Sequence, residues 1–85
     1  PQFTRNYDTF WWATGFVDGQ LADLNDSNPL RLLGRLTFES EEQAQLFADA
    51  LGKKGFSSVS TFNPNVPDTY KIYGKDVIFL WQYIR

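Results

Sequence analysis

Two different hydrophobic periods meet at Ser40, and they constrain the fold more than any other feature of this chain. Residues 30–39 alternate between apolar and polar side chains, a period of two that is typical of a strand with one buried face. The apolar positions on that face are Leu30, Leu32, Leu36 and Phe38. From Ser40 onward the apolar residues follow the spacing of a helix. The sequence therefore predicts a half-buried strand followed at once by an amphipathic helix.

The helix predicted over residues 41–54 carries its own start and stop signals. Ser40 and Gln43 have the spacing of a capping box, in which two side chains satisfy backbone N–H groups of the first turn. Lys53 and Lys54 precede Gly55, the arrangement typical of a helix C-terminus. The residues expected to face the sheet are Ala44, Phe47, Ala48 and Leu51.

A hairpin is predicted before this strand. Residues 9–17 are rich in aromatic and β-branched side chains, and residues 20–24 would form the returning strand. Asp18-Gly19 between them is typical of a two-residue type I′ turn.

Three extended segments are predicted after the helix, over residues 56–62, 69–73 and 77–84. The last of them also fits helical spacing behind Asp76, but its β-branched and aromatic residues favour a strand.

The order β-β-β-α-β-β-β predicts an α+β two-layer sandwich. We expect an antiparallel sheet of about five to six strands with one helix packed on one face. At 85 residues the chain is expected to be a single domain over residues 1–85. A chain of this size buries roughly 60–65% of its extended surface. No disulfide can form without cysteine, so eight Phe, four Tyr and three Trp side chains must supply much of the packing.

The composition also excludes several kinds of chemistry. The chain has neither histidine nor cysteine, which rules out Ser-His and Cys-His catalytic pairs and thiolate–imidazole metal sites. Its ten acidic residues could supply a carboxylate pair. They lie, however, in predicted turns or on the solvent side of the helix, where acids commonly cap helices and form turns. We expect no enzymatic activity, no catalytic residues, no cofactor and no metal.

Features of membrane and secreted proteins are not evident in the sequence. No apolar run approaches the roughly 18 residues that a membrane helix needs, and no charged-then-apolar leader opens the chain. Pro1 fits removal of an initiator methionine ahead of a small residue. We therefore expect a complete, soluble, cytoplasmic protein, in the host cytoplasm if a phage encodes it.

The charges are unevenly distributed along the chain. Residues 1–50 carry eight acidic and three basic side chains, whereas residues 51–85 carry two acidic and five basic ones. Such polarity can orient an encounter with a charged partner, although the charges can also be ordinary solvated positions. No dense basic stripe is present, which argues against binding of duplex nucleic acid. The acidic residues predicted to form a partner-binding face are Asp18, Asp23, Asp26, Glu41, Glu42 and Asp49.

The aromatic residues are more numerous than one helix can cover. Adjacent residues of a strand point to opposite faces, so Leu80 and Trp81 cannot both face the helix. We expect Ile78, Leu80 and Ile84 to face the helix, which places Trp81 on the opposite face of the sheet. Trp81 would then be exposed in the monomer and buried by a partner or a second copy.

Two other outcomes are possible for that second sheet face. Loops over residues 20–29 and 63–68 could cover it, or a small core could use both faces of the sheet. If the face is exposed, it is a binding surface, because Trp and Tyr are enriched at binding hot spots. The aromatic residues predicted to bind a partner are Trp11, Trp12, Tyr73, Phe79, Trp81 and Tyr83.

Together these features predict a non-enzymatic protein-interaction module, a small inhibitor or regulator of a larger protein or complex. In size, acidity and lack of a cofactor site the chain resembles phage-type counter-defence inhibitors, including anti-CRISPR proteins, although no motif is shared. Its acidic side chains could also mimic nucleic acid in a basic channel of the target. The alternative is a small-ligand or single-stranded nucleic-acid binding module in which sheet aromatics stack on the ligand.

Overall fold

The computed structural model of the chain describes residues 16–24 and 31–82. Its elements are β1 (Phe16–Leu24), β2 (Arg31–Phe38), α1 (Glu41–Lys53), β3 (Ser57–Ser58), β4 (Thr69–Tyr73) and β5 (Asp76–Gln82). The strands form one sheet in the order β1-β2-β5-β4-β3. β3 runs parallel to β4 and the other pairs are antiparallel. The predicted α+β fold with one helix on one face is confirmed, but the five-stranded sheet is mixed rather than purely antiparallel.

β1 runs through the position of the predicted turn. Asp18 and Gly19 lie inside the strand and pair with β2, so the turn prediction was wrong. The register shifts between Phe16 and Asp18, which makes Val17 the extra residue of a β-bulge. The Asp18 Oδ1 atom accepts a hydrogen bond from the Gly19 N–H at 2.8 Å, a local bond that a bulged strand accommodates as well as a turn does. The start of the predicted hairpin, residues 9–15, lies outside the described residues.

α1 begins and ends where the sequence predicts. Ser40 is the N-cap, and its Oγ atom accepts a hydrogen bond from the Gln43 N–H at 3.2 Å. The Lys54 N–H closes the other end by donating to carbonyl groups of the last turn. Gly55 follows with a φ of 100°, a conformation that favours glycine.

Removal of the N-cap side chain tests this local account of the helix. We expect Ser40→Ala to lower the free energy of unfolding by about 1 kcal/mol, because it leaves an N–H of the first turn without its side-chain acceptor. Urea unfolding followed by circular dichroism measures the difference. The control is Ser60→Ala, at an exposed position in the loop after β3. Equal unfolding midpoints for the two variants would contradict the assignment of Ser40 as a stabilising cap.

The core lies between α1 and one side of the sheet, which we call the helix face. The Phe47 ring of α1 lies 5.2 Å from the Phe38 ring and 5.8 Å from the Phe79 ring, measured between centroids. The side chains that α1 buries are those predicted from helical spacing: Ala44, Phe47, Ala48 and Leu51. The helix face of β2 carries Leu32, Gly34, Leu36 and Phe38, all of them buried.

The chain after α1 forms less strand than predicted. Of residues 56–62 only Ser57–Ser58 pair, and residues 59–68 connect them to β4 as a loop. Polar serines offer little apolar surface to hold an edge strand against the sheet, which accounts for the shorter element. β4 matches the predicted 69–73, and the segment that also fitted a helix is a strand, Asp76–Gln82. Residues 83–84 lie outside the described residues.

The two faces of β5 are the reverse of those predicted. Phe79 and Trp81 lie on the helix face, whereas Ile78 and Leu80 lie on the other side of the sheet. Strand alternation determines which residues share a face, but only pairing with β2 decides which face meets the helix. Phe79 pairs with Gly34, where the missing side chain leaves room for the ring.

Candidate functional site

The second face of the sheet, the side opposite α1, contains the main candidate site. Residues paired in register share a face, so the face can be read across the strands. Its two central rows are Gln20–Arg35–Ile78–Lys71 and Ala22–Leu33–Leu80–Thr69, each crossing β1, β2, β5 and β4 in turn. The second row is largely apolar, and Ile78 continues the apolar area into the first.

Residues 59–68 cover part of this face. Leu80 is 0% exposed and Thr69 is 4% exposed, although α1 lies on the other side of the sheet. Arg31 extends from β2 to the loop, where its Nη1 atom donates to the Pro64 carbonyl at 3.1 Å. Of the outcomes predicted for this face, partial covering by the later loop is what the described residues show.

A groove of about 730 Å³ remains between this loop and β1. Its volume falls within the roughly 300–1,000 Å³ that is usual for binding pockets. The side chains that supply its apolar lining are Ala22, Leu33, Phe62, Pro64 and Ile78. We call this the second-face groove.

Arg35 forms a polar margin of the second-face groove and connects three strands. Its Nη1 atom donates to Thr37 Oγ1 at 3.0 Å and to Asp76 Oδ2 at 3.4 Å, and its Nη2 atom donates to Gln20 Oε1 at 3.3 Å. The Arg35 and Asp76 side chains are 33% and 34% exposed, so solvent weakens this ion pair. The bonds orient the guanidinium group while a third of the side chain stays accessible to a partner.

Tyr73 is an exposed aromatic residue on the second face. It lies at the end of β4, in register with Asp76, and is 47% exposed. The Lys71 Nζ atom lies 5.1 Å from its ring centroid, within the range of a cation–π contact. Tyr73 is therefore accessible on the second face, and its role in binding a partner stays a prediction.

The other predicted aromatic residues have different positions. Phe79 is 0% exposed, so it belongs to the core, and its assignment to a binding surface was wrong. Trp81 is half-buried and packs against the helix-face core. Trp11, Trp12 and Tyr83 lie outside the described residues.

The predicted acidic residues do not form one continuous face. Asp18 lies on the second face of β1, since it pairs with Thr37. Glu41, Glu42 and Asp49 are exposed on α1, across the sheet from Asp18. The described residues include only the backbone of Asp23, and Asp26 lies outside them.

Sequence reasoning missed the second-face groove, although one signal was present. Leu33 lies among the polar residues of the outward face of β2 and breaks their alternation. An apolar residue at such a position indicates that the outward face is partly covered or binds something. Phe62 and Pro64 carried no such signal, because only the path of the loop brings them over the sheet.

Comparison with family models, with curated proteins and with solved structures gives no match for this chain. Within residues 16–24 and 31–82, no helix has the length and apolar character needed to cross a membrane. In the same two ranges, no cluster of three or more acidic side chains is placed to hold a metal ion.

Proposed function

We propose that the chain is a non-enzymatic protein-interaction module that binds a larger protein through the second-face groove. The observation that carries this proposal is the apolar lining of the groove on the side of the sheet away from α1. The proposal includes the cytoplasmic location and the inhibitory or regulatory role predicted from the sequence. Inhibition of a larger complex, in the manner of phage-type counter-defence proteins, is the specific role to test.

The chemistry of the groove supports a protein partner. Leu33 and Ile78 are half-buried in the sheet, so a partner side chain placed on them removes further apolar surface from water. Arg35 and Tyr73 lie beside this apolar area, and Arg and Tyr are enriched in interfaces. An apolar centre with a polar and aromatic margin is the usual composition of a protein-binding site.

A matched pair of lysine substitutions tests the proposal. Ala22→Lys adds a long cationic side chain to the groove at an exposed position of β1, and Leu46→Lys makes a similar change on α1, where the leucine is 68% exposed. We expect Ala22→Lys to reduce recovery of the partner about tenfold, as for loss of a hot spot, and Leu46→Lys to leave it unchanged. The measurement is quantitative mass spectrometry of proteins that co-purify with each tagged chain from its host.

Thermal unfolding of both variants provides the control for folding. Recovery that is equal for Ala22→Lys and the parent chain would contradict the use of the groove. An equal loss for both variants would show that added charge, rather than its position, disrupts binding. Light scattering of the parent chain would reveal a second copy as the occupant, which would replace the larger protein in this proposal.

The alternative function, binding of a small ligand or single-stranded nucleic acid, is favoured by a different observation. Trp81 lines a second pocket together with two lysine residues at the end of α1. This pocket lies on the helix side of the sheet, away from the second-face groove.

A further inference from the structure

A pocket of about 490 Å³ lies between the C-terminal end of α1 and β5. The described residues that line it are Lys53, Lys54, Phe56 and Trp81. The backbone fixes two of these residues relative to each other, because the Lys54 and Phe56 N–H groups both donate to the Leu51 carbonyl, each at 3.0 Å. We call this the Trp81 pocket.

The aromatic wall of the Trp81 pocket is held in place by the core. Phe56 is only 8% exposed and belongs to the core cluster, and Trp81 packs against that cluster while remaining partly accessible. A ring that is supported on one side and accessible on the other can stack against a flat ligand without first being ordered.

The charged wall of the pocket is formed by two lysines that are adjacent in the sequence. Lys53 is the last residue of α1 and Lys54 is its C-cap, and both are exposed. Lysines at this end of a helix also offset the negative end of its dipole. That role needs no aromatic neighbour, whereas here both cations line a pocket with an indole ring. Two cations beside a flat apolar surface are complementary to an aromatic anion.

We propose that the Trp81 pocket binds a nucleotide unit, with its base stacked on Trp81 and its phosphate beside Lys53 and Lys54. Lysine is a common phosphate ligand, and stacking on an aromatic ring accepts any base. The volume lies within the roughly 300–1,000 Å³ range of small-ligand sites. This inference develops the ligand-binding alternative and is independent of the second-face groove. The nucleotide unit can be a free mononucleotide or part of a single strand.

Isothermal titration calorimetry of the full chain at low salt provides the test. The probes are adenosine 5′-monophosphate (AMP), adenosine and inorganic phosphate. We expect AMP to bind more tightly than either of the others, because it alone uses both walls of the pocket. Added salt should weaken binding of AMP and leave that of adenosine nearly unchanged. A short single-stranded oligonucleotide, titrated in parallel, decides the source: tighter binding than AMP indicates a strand, and equal or weaker binding a free nucleotide.

Substitutions at each wall locate the site. We expect Lys53→Ala combined with Lys54→Ala to weaken AMP binding about tenfold, and Trp81→Leu to weaken it by at least as much. The matched control is Lys71→Ala combined with Lys75→Ala, which removes the same charge elsewhere on the chain. Since Trp81 contacts the core, thermal unfolding must accompany its variant, whereas the lysine pair tests the pocket without a change in the core.

Three results would overturn the inference. The first is that AMP does not bind, or binds no better than adenosine. The second is that the Lys71/Lys75 control weakens binding as much as the Lys53/Lys54 pair, which would indicate a general charge effect. The third is that Ala22→Lys, in the second-face groove, removes AMP binding. Because that variant should leave AMP binding intact, failure of this inference and failure of the protein-binding proposal are distinguishable.

Discussion

Phe47→Ala is expected to lower the free energy of unfolding by about 3–5 kcal/mol. The Phe47 side chain is 6% exposed, and its ring lies between the Phe38 and Phe79 rings of two neighbouring strands. Its loss removes buried apolar area and leaves a cavity that two β-strands cannot easily close. A domain of this size has about 5–15 kcal/mol of stability in total, so the variant should be close to unfolding at ambient temperature.

Urea unfolding measures the effect of Phe47→Ala, and Leu46→Ala is the matched control. Leu46 is the preceding residue of the same helix and is 68% exposed. Its truncation should change stability by no more than about 0.5 kcal/mol, as is usual for a surface position. Similar unfolding midpoints for the two variants would show that α1 does not dock on the sheet through Phe47.

Gly34→Ala is expected to have the second large effect, a loss of about 1–3 kcal/mol from a single added methyl group. A Cβ atom at this position would lie 2.8 Å from Leu21 Cδ2 and would also meet the Phe79 ring. The Phe79 ring is fully buried and the Leu21 side chain packs against the same core, so both would have to shift against their neighbours to admit the methyl group. Thermal and urea unfolding measure the loss.

The same substitution at Gly52 should raise the free energy of unfolding instead of lowering it. Gly52 lies in α1, and the nearest atom to a Cβ there would be the Tyr70 hydroxyl oxygen, at 3.9 Å. Alanine should therefore stabilise the helix by about 0.5–1 kcal/mol. Equal stability of the Gly34→Ala and Gly52→Ala variants would contradict the close packing of the Phe79 ring against β2.

The candidate sites were predictable only in part. The exposed position of Tyr73 and the cations at the end of α1 follow from local sequence, since a turn at Gly74 and a helix C-terminus are short-range features. The second-face groove was not predictable, because it combines residues of β1, β2 and β5 with a loop from another part of the chain. Leu33 alone indicated it, as an apolar residue on the outward side of β2.

Short-range features of the sequence by themselves determined the positions of α1 and β2. The Ser40 cap and the positive φ of Gly55 depend on neighbouring residues, and the alternation in β2 needs only a period of two. Long-range pairing decided the rest. Asp18 stays within a strand because β2 pairs with the whole of β1, and Phe79 meets the helix because Gly34 leaves room for its ring. Periodicity specifies which side chains share a face, but only the tertiary packing of α1 and the loop specifies which face becomes the core.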